Sequence, residues 1–237
     1  MTDPKCLSFE IGFLGPYKIL KRRTSSKLAK IAKQRRVASG EKLLNEKPPD
    51  TTCFIIHSGI AKIIASHADG ENQLVGLKFP SEFVGYPFST SPLLYAEAAT
   101  DMEICSFQRS AFECLMEKNP DLEHAILQCT LHELEAAQDW IHMISRKTAE
   151  ERIASLLLLM VRKMRPNVIS KKLQQKFIKI EMPINRAEVS ECLGLRLETV
   201  SRQMTEFKSD GILATGPHRS IHVLKLRELE NRAHISL

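Results

Sequence analysis

Over residues 37–107 short runs rich in Ile, Val and Phe alternate with turn residues: TCFIIHSG, IAKIIASHADGENQLVGLKF, EFVGYPF and MEICSF. Evenly spaced short strands of this kind predict a compact β barrel or roll. Asp69-Gly70, inside HADGEN, predicts a hairpin turn. A short helix is expected ahead of the roll, over about residues 25–35. After Phe107 the period lengthens. Ser110-x-x-Glu113 has the spacing of a capping box and opens AFECLMEKN before Pro120. An unbroken helical pattern then fills residues 121–146. Thr148-x-x-Glu151, a second capping box, opens ERIASLLLLMVRKM. Around Pro166 the pattern breaks, and NVISKKLQQKFIKIEMP reads as a connection holding one or two strands. Asn185-x-x-Glu188 starts the C-terminal helices.

The long helix carries two apolar faces. Leu127, Leu134, Ala137, Ile141 and Ile144 fall at alternating steps of three and four, with Thr130 filling the remaining position. That spacing makes a coiled-coil seam. Leu122, Ile126, Cys129, Ala136, Trp140 and Met143 form a second stripe. One stripe packs on the roll; the other needs a cover, and a two-fold homodimer supplies it.

INRAEVSECLGLRLETVSRQMTEFKSDGIL fits a helix-turn-helix. The first helix covers about residues 186–193, with Ala187, Val189 and Leu193 as its apolar set. Gly194 permits the tight turn. The second helix starts near Leu197 and turns Val200, Met204 and Phe207 inward. Its opposite face shows Glu198, Ser201 and Arg202, with Arg196 and Thr199 beside them at the helix start. Gly211 ends the helix, and ILATGPHRSIHVL alternates around a Gly-Pro turn as a β wing does. Arginine donates twice to guanine O6 and N7, glutamate accepts from cytosine N4, and serine reaches a base edge or a phosphate. These side chains stand in the first turns of the second helix, where a recognition helix meets double-stranded DNA.

The charge balance is compatible with that reading. The 237 residues carry a formal net charge of +6. The first 36 residues hold ten of the Lys and Arg residues against Asp3 and Glu10 alone, and a second basic run covers residues 162–179. Such runs suit a polyanion or a solvated surface. The longest apolar run, IASLLLLMV, is too short to span a bilayer, and the N-terminus has no apolar signal core. A cytoplasmic protein, free of the membrane, is expected. The six cysteines form no C-x-x-C pair and read as reduced thiols.

The order of β roll, long helix and winged helix-turn-helix resembles the CRP/FNR superfamily of bacterial transcription regulators. LGLRLETVSR is similar to the recognition segment of its FNR and FixK branch. DWIHMISRKTAEERIASLLLLM resembles the end of the dimer helix and the helix after it, while HSGIAKI and PSEFVGYPF resemble the roll. The resemblance implies an α+β fold: an N-terminal β-roll of the cyclic-nucleotide-binding, double-stranded jelly-roll kind, a long dimerisation helix and a C-terminal winged helix-turn-helix. The domains expected are a basic arm and short helix (1–36), the roll (37–119), the dimerisation helix (120–146) and the DNA-binding domain (147–237). It also implies that Glu198, Ser201 and Arg202 match the family's base-contacting E-x-x-S-R. Leu197 stands where the cyclic-AMP branch has an arginine, which favours the half-site TTGAT in the palindrome TTGAT-N4-ATCAA. A homodimer activating transcription through contact with RNA polymerase is the implied assembly, with residues 66–72 and the wing as candidate contact surfaces.

What switches such a regulator is open to four readings. A cyclic nucleotide is disfavoured: the related binding sites use Gly-Glu and a later Arg-Ser, whereas here Ser81 precedes Glu82 and SPLLYAEA holds no arginine to meet the phosphate. An iron–sulfur cluster usually needs four thiolates. The resemblance offers Cys105 in the roll and Cys6 near the N-terminus, and Cys53 or Cys114 would have to be recruited. Cys192, on the first helix of the DNA-binding motif, is a candidate redox thiol on condition that it is exposed and partly ionised. The fourth reading, which leads, has no cofactor: the apolar seam dimerises the protein unaided, as in FixK-type members. An enzyme is not expected. The chain has no phosphate-binding glycine loop and no G-x-S-x-G. HELEA is not H-E-x-x-H because position 136 is Ala, and His124, Cys129 and His132 are better explained without zinc.

Overall fold

Continuous apolar runs such as TCFIIHS, where strict alternation fails, call for a strand buried on both faces. The computed structural model, which describes residues 15–44, 52–66, 72–85, 94–164, 177–217 and 219–234, has that arrangement. Strands β1 (Ala32–Val37), β2 (Lys42–Leu44), β3 (Thr52–Ser58), β4 (Ala61–Ser66), β5 (Asn72–Lys78), β6 (Phe83–Val84), β7 (Leu94–Ala98) and β8 (Met102–Gln108) form the roll. They make two four-stranded sheets, ordered β1-β8-β3-β6 and β2-β7-β4-β5. On β3, Phe54 and Ile56 enter a core between the sheets with Val37, Ala96 and Ile104. Cys53 and Ile55 enter a second core, covered by helices, with Tyr17, Leu28, Phe107 and Phe112. Each fully buried side chain of this size contributes about 1.5–3 kcal/mol.

The HSG turn after β3 needs its glycine. Gly59 has φ +85°, and a Cβ there would lie 2.4 Å from the Asp101 carbonyl oxygen. β4 and β5 pair antiparallel with Ser66 opposite Asn72. The expected hairpin therefore forms, although Asp69-Gly70 lies outside the described residues.

Two local expectations need correction. The N-terminal helix α1 spans Arg22–Ile31, not residues 25–35. Residues from Ala32 onward are taken into β1 because β8 offers a free edge, Ala32 pairing with Phe107 and Val37 with Met102. The exposed Lys33, Arg35 and Arg36 suit an edge strand that repels further pairing. Helix α2, Arg109–Glu117, starts before Ser110 and has no side-chain cap at Gln108. Glu113 is instead the partner of Arg109, one helical turn earlier, at 2.7 Å.

Helix α3 spans Pro120–Arg146. Its first turn fixes α1: Asp121 accepts from the Lys21 backbone N–H at 2.8 Å and from the Thr24 hydroxyl at 2.9 Å. Burial pushes the Asp121 carboxyl up, but these two donors outweigh it and hold the group below its ordinary range. Leu122, Ala125 and Ile126 complete the helix-covered core.

The chain divides into two compact units, residues 1–136 and 137–237. In the second, α4 (Ala149–Met164) opens on the expected capping box, with the Thr148 N–H donating to Glu151 at 2.7 Å. Its apolar residues are buried almost all round, from Ile153 to Val161. Strand β9 (Ile178–Glu181), helices α5 (Arg186–Leu193) and α6 (Leu197–Ser209), strands β10 (Leu213–Thr215) and β11 (Ser220–Val223) and helix α7 (Leu226–Arg232) follow. The sheet order is β10-β11-β9, so the wing hairpin gains a third strand from the connection. Among the described residues no helix is long and apolar enough to cross a membrane.

Candidate nucleic-acid interface

Helix α5 begins at Asn185, whose side chain accepts from the Ala187 and Glu188 N–H groups at 2.8 and 3.0 Å. Glu188 returns the bond, accepting from the Asn185 N–H at 2.7 Å. The capping box read from the sequence is therefore complete. The helix ends at Gly194, which is left-handed at φ 61° and ψ 42°. A Cβ there would meet nothing nearer than the Arg152 guanidinium at 4.0 Å, so the backbone angle, not space, selects glycine. The Leu195 N–H donates to the Ser190 carbonyl at 2.9 Å and closes the turn.

Arg152 of α4 holds this turn from below. It donates to the Leu193 carbonyl at 3.0 Å and to the Lys147 carbonyl at 2.9 Å. A helix end left without partners is thereby satisfied by a neighbouring helix. Nothing in the sequence spacing pointed to this link.

The inward faces agree with the reading in all but one position. Val189 and Leu193 of α5 and Val200, Met204 and Phe207 of α6 are buried. Ala187 is exposed. It lies two residues, about 200° of helix at 3.6 residues per turn, from Val189 and faces the other way.

The outward face of α6 is open. Glu198 and Arg202 are exposed, with Ser201 and Thr199 half-buried between them. Positions 198, 201 and 202 fall on one side of the helix, three and four residues apart. Arg196 is the exposed N-cap residue and makes no side-chain cap, so the first N–H groups of α6 point at solvent with the positive end of the helix dipole. Arg186, on α5, reaches across and donates to the Ser201 hydroxyl at 3.4 Å. The sequence reading missed Arg186, which stands fifteen residues from its partner. The wing turn follows, where Ser220 donates to the Pro217 carbonyl at 2.7 Å and Arg219 is exposed at φ 57°. A helix with an uncapped positive end, an acceptor and a bidentate donor on one exposed face, and a basic wing beside it form a surface suited to a major groove and its phosphates.

The thiols have a different setting. Cys192 is buried, and its thiol is pushed up to about 12 by burial, with Glu191 and Glu188 adding to the effect. It does not meet the condition of exposure and partial ionisation that redox chemistry sets. Cys105 is 1% exposed and packs in the helix-covered core beside Phe107. Cys53 shares that core, and burial pushes its thiol up to about 12. Cys6 lies outside the described residues. Among those described, no three His, Cys, Asp or Glu side chains are grouped to hold a metal ion. Cys53 and Cys105 thus contribute to packing, while Cys114 is exposed. At the turn before β6, Glu82 accepts from the Phe79 N–H at 3.1 Å, while the first three residues of SPLLYAEA, 91–93, lie outside the described residues.

On α3 the seam residues Leu127, Leu134 and Ile141 are 53, 54 and 60% exposed in the single chain. Ile144 is 37% exposed, Ala137 and Thr130 are exposed, and the Thr130 hydroxyl donates to the Ile126 carbonyl at 3.0 Å. Leu131, outside the three-four count, adds a further half-exposed side chain to the same face.

Residues 34–119 match the cyclic nucleotide-binding domain family, and residues 151–232 match the Crp-like helix-turn-helix domain. The chain is 36% identical to a probable transcriptional activator of Rhizobium leguminosarum bv. viciae, over 83% of this chain and 80% of that one. It is 38% identical to the transcriptional activator protein FnrL of Cereibacter sphaeroides, over 74% of this chain and 70% of the relative. The structure of FixK2 from Bradyrhizobium japonicum matches with a TM-score of 0.73 at 26% identity, covering 87% of this chain and all of that one.

Proposed function

This chain belongs to the CRP/FNR family of transcription regulators, and from that premise we propose that it acts as a homodimer activating transcription from an FNR-like palindrome, TTGAT-N4-ATCAA. The observation that carries the proposal is the open face of α6, where Glu198, Ser201 and Arg202 stand together while the opposite face is locked into the domain. In each half-site Arg202 takes the guanine, Glu198 the cytosine amino group and Ser201 a base edge or phosphate. Arg196 and Thr199 contact the backbone at the helix start. The second recognition helix comes from a second copy, joined along Leu127, Thr130, Leu134, Ala137, Ile141 and Ile144. These side chains have no other cover within either compact unit as described.

The reading continues that no cyclic nucleotide and no iron–sulfur cluster is required. Support comes from the missing arginine for a nucleotide phosphate and from Cys105, which is spent in a core. Thiol control through Cys192 loses its footing for the reason of burial given above. The FnrL and Rhizobium relatives carry the name of transcriptional activators. Contact with RNA polymerase through the hairpin at residues 66–72 or the wing follows by the same likeness, and the cytoplasm is the expected place of action.

The test is DNA binding by reduced, metal-free protein, read by fluorescence anisotropy at fixed salt. A TTGAT-N4-ATCAA duplex is compared with a scrambled one. Selective binding supports the proposal. Weak binding without preference overturns it and makes a missing effector the next question.

A further inference from the structure

The DNA-binding unit holds an apolar cavity that the reading of DNA does not use. It measures about 300 Å³ and is lined by residues of α4, α5, α6 and the wing sheet. Leu157, Val189, Val200 and Met204 form its floor and are all buried. Three other lining residues are basic: Arg186 and Arg219 are exposed, and Lys208 is half-buried. Neither Lys208 nor Arg219 forms a salt bridge among the described residues.

We propose that this cavity binds a small amphipathic carboxylate, with its apolar body between α4 and α6 and its head group at Arg186, Lys208 and Arg219. The size fits. Ligand pockets begin at about 300 Å³, and a dry apolar cavity of about 150 Å³ already admits benzene. The charge fits as well, since Arg186, Lys208 and Arg219 are among the residues that line an otherwise largely apolar cavity. An apolar body without a head group would leave those cations unused. A fully charged solute would gain nothing from the floor.

The site would report on DNA reading, a consequence that rests on the assignment of Ser201 to the DNA-contacting face. Arg186 is shared: it lines the cavity and donates to Ser201 at 3.4 Å. That bond is at the long limit of hydrogen bonding. A carboxylate offers the same guanidinium a shorter bond to a full negative charge, with both oxygens able to accept in parallel. A bound head group therefore draws Arg186 from Ser201 and resets the hydroxyl that faces the base.

The experiment is a titration of the full chain, labelled at Ile and Met methyl groups, with decanoate in the absence of DNA. Saturable shifts at Met204 and Ile184 with one site per chain are expected. Decanol should bind at least tenfold more weakly, and Arg186→Gln, a change at an exposed position, should weaken decanoate at least tenfold. Absence of saturable shifts up to millimolar decanoate overturns the site. Equal binding of decanol, or shifts centred on the β roll, overturns it as well. Saturating decanoate should then lower affinity for the TTGAT duplex several-fold. Unchanged affinity with the cavity filled overturns the coupling. Because the methyl shifts are read without DNA, an error in the assigned DNA sequence leaves the ligand result standing.

Discussion

Ile141→Glu tests the seam on α3 at the most exposed of its Leu and Ile side chains. Ile141 is 60% exposed in the single chain. Fully burying an isoleucine is worth about 1.5–3 kcal/mol, so covering the exposed part is worth about 1–2 kcal/mol in each copy. Two-fold symmetry doubles this to about 2–4 kcal/mol. The two new carboxylates also meet on a face made of Leu, Thr, Ala and Ile, with no cation to pair them. Each unpaired buried polar group adds about 1–3 kcal/mol. The total is at least about 4 kcal/mol, which weakens dimerisation about a thousandfold at about 1.4 kcal/mol per decade. Sedimentation equilibrium across the micromolar range reads the change directly. The parent should be a dimer and the variant a monomer with unaltered circular dichroism. Asp139→Ala, on the far side of the same helix, should leave the dimer intact. An Ile141→Glu protein that dimerises as tightly as the parent refutes the assignment of this face.

Three further outcomes are expected. Arg202→Ala should abolish the preference for TTGAT over scrambled DNA, costing about 1–3 kcal/mol of discrimination per half-site, as read by competition anisotropy; retained preference would show that the register of α6 against the bases is wrong. Gly194→Ala should lower stability by about 1–2 kcal/mol, because the left-handed backbone remains while the steric freedom is lost; an unchanged midpoint in urea would contradict the role given to the turn. Cys192, with its thiol raised by burial from 9.0 to about 12, is protonated in the folded chain while the unfolded chain ionises above pH 9. The unfolded state then binds fewer protons, so stability falls as pH rises through that window and is insensitive to this group below it. Urea unfolding of the parent and Cys192→Ala between pH 8 and about 11 checks the sign, the parent losing more with rising pH than the variant.

The DNA-binding motif was legible because each of its parts is a local rule. A glycine at a left-handed turn, an Asn-x-x-Glu cap and inward residues at helical spacing all lie within thirty residues of one another. The long helix was legible for the same reason. What escaped were links between distant segments. Arg152 satisfies the end of α5 from forty-one residues away, and Arg186 meets Ser201 only after the turn has folded. Ser110 had the spacing of a cap but lost the position because β8 runs directly into α2, so the helix starts at Arg109. The residues after Ile31 carry a helical composition, yet a free edge on β8 outweighs propensity, which is weak beside a ladder of backbone bonds. The cysteines were ambiguous because burial, the property that decides their chemistry, is set by both faces of β3 and β8 together.

Along the thirteen residues of α6, the side chains that hold the helix and those that face outward are disjoint sets. Val200, Met204 and Phe207 anchor it, while Gly194 and Arg152 fix its approach. Glu198, Ser201 and Arg202 support none of the core packing. With the proposed DNA contacts at these three positions, a duplicated copy of this gene could drift at three codons and acquire a new operator without crossing a valley of unfolded intermediates. The separation gives such a regulator evolutionary room to diverge into paralogues that ignore one another's promoters.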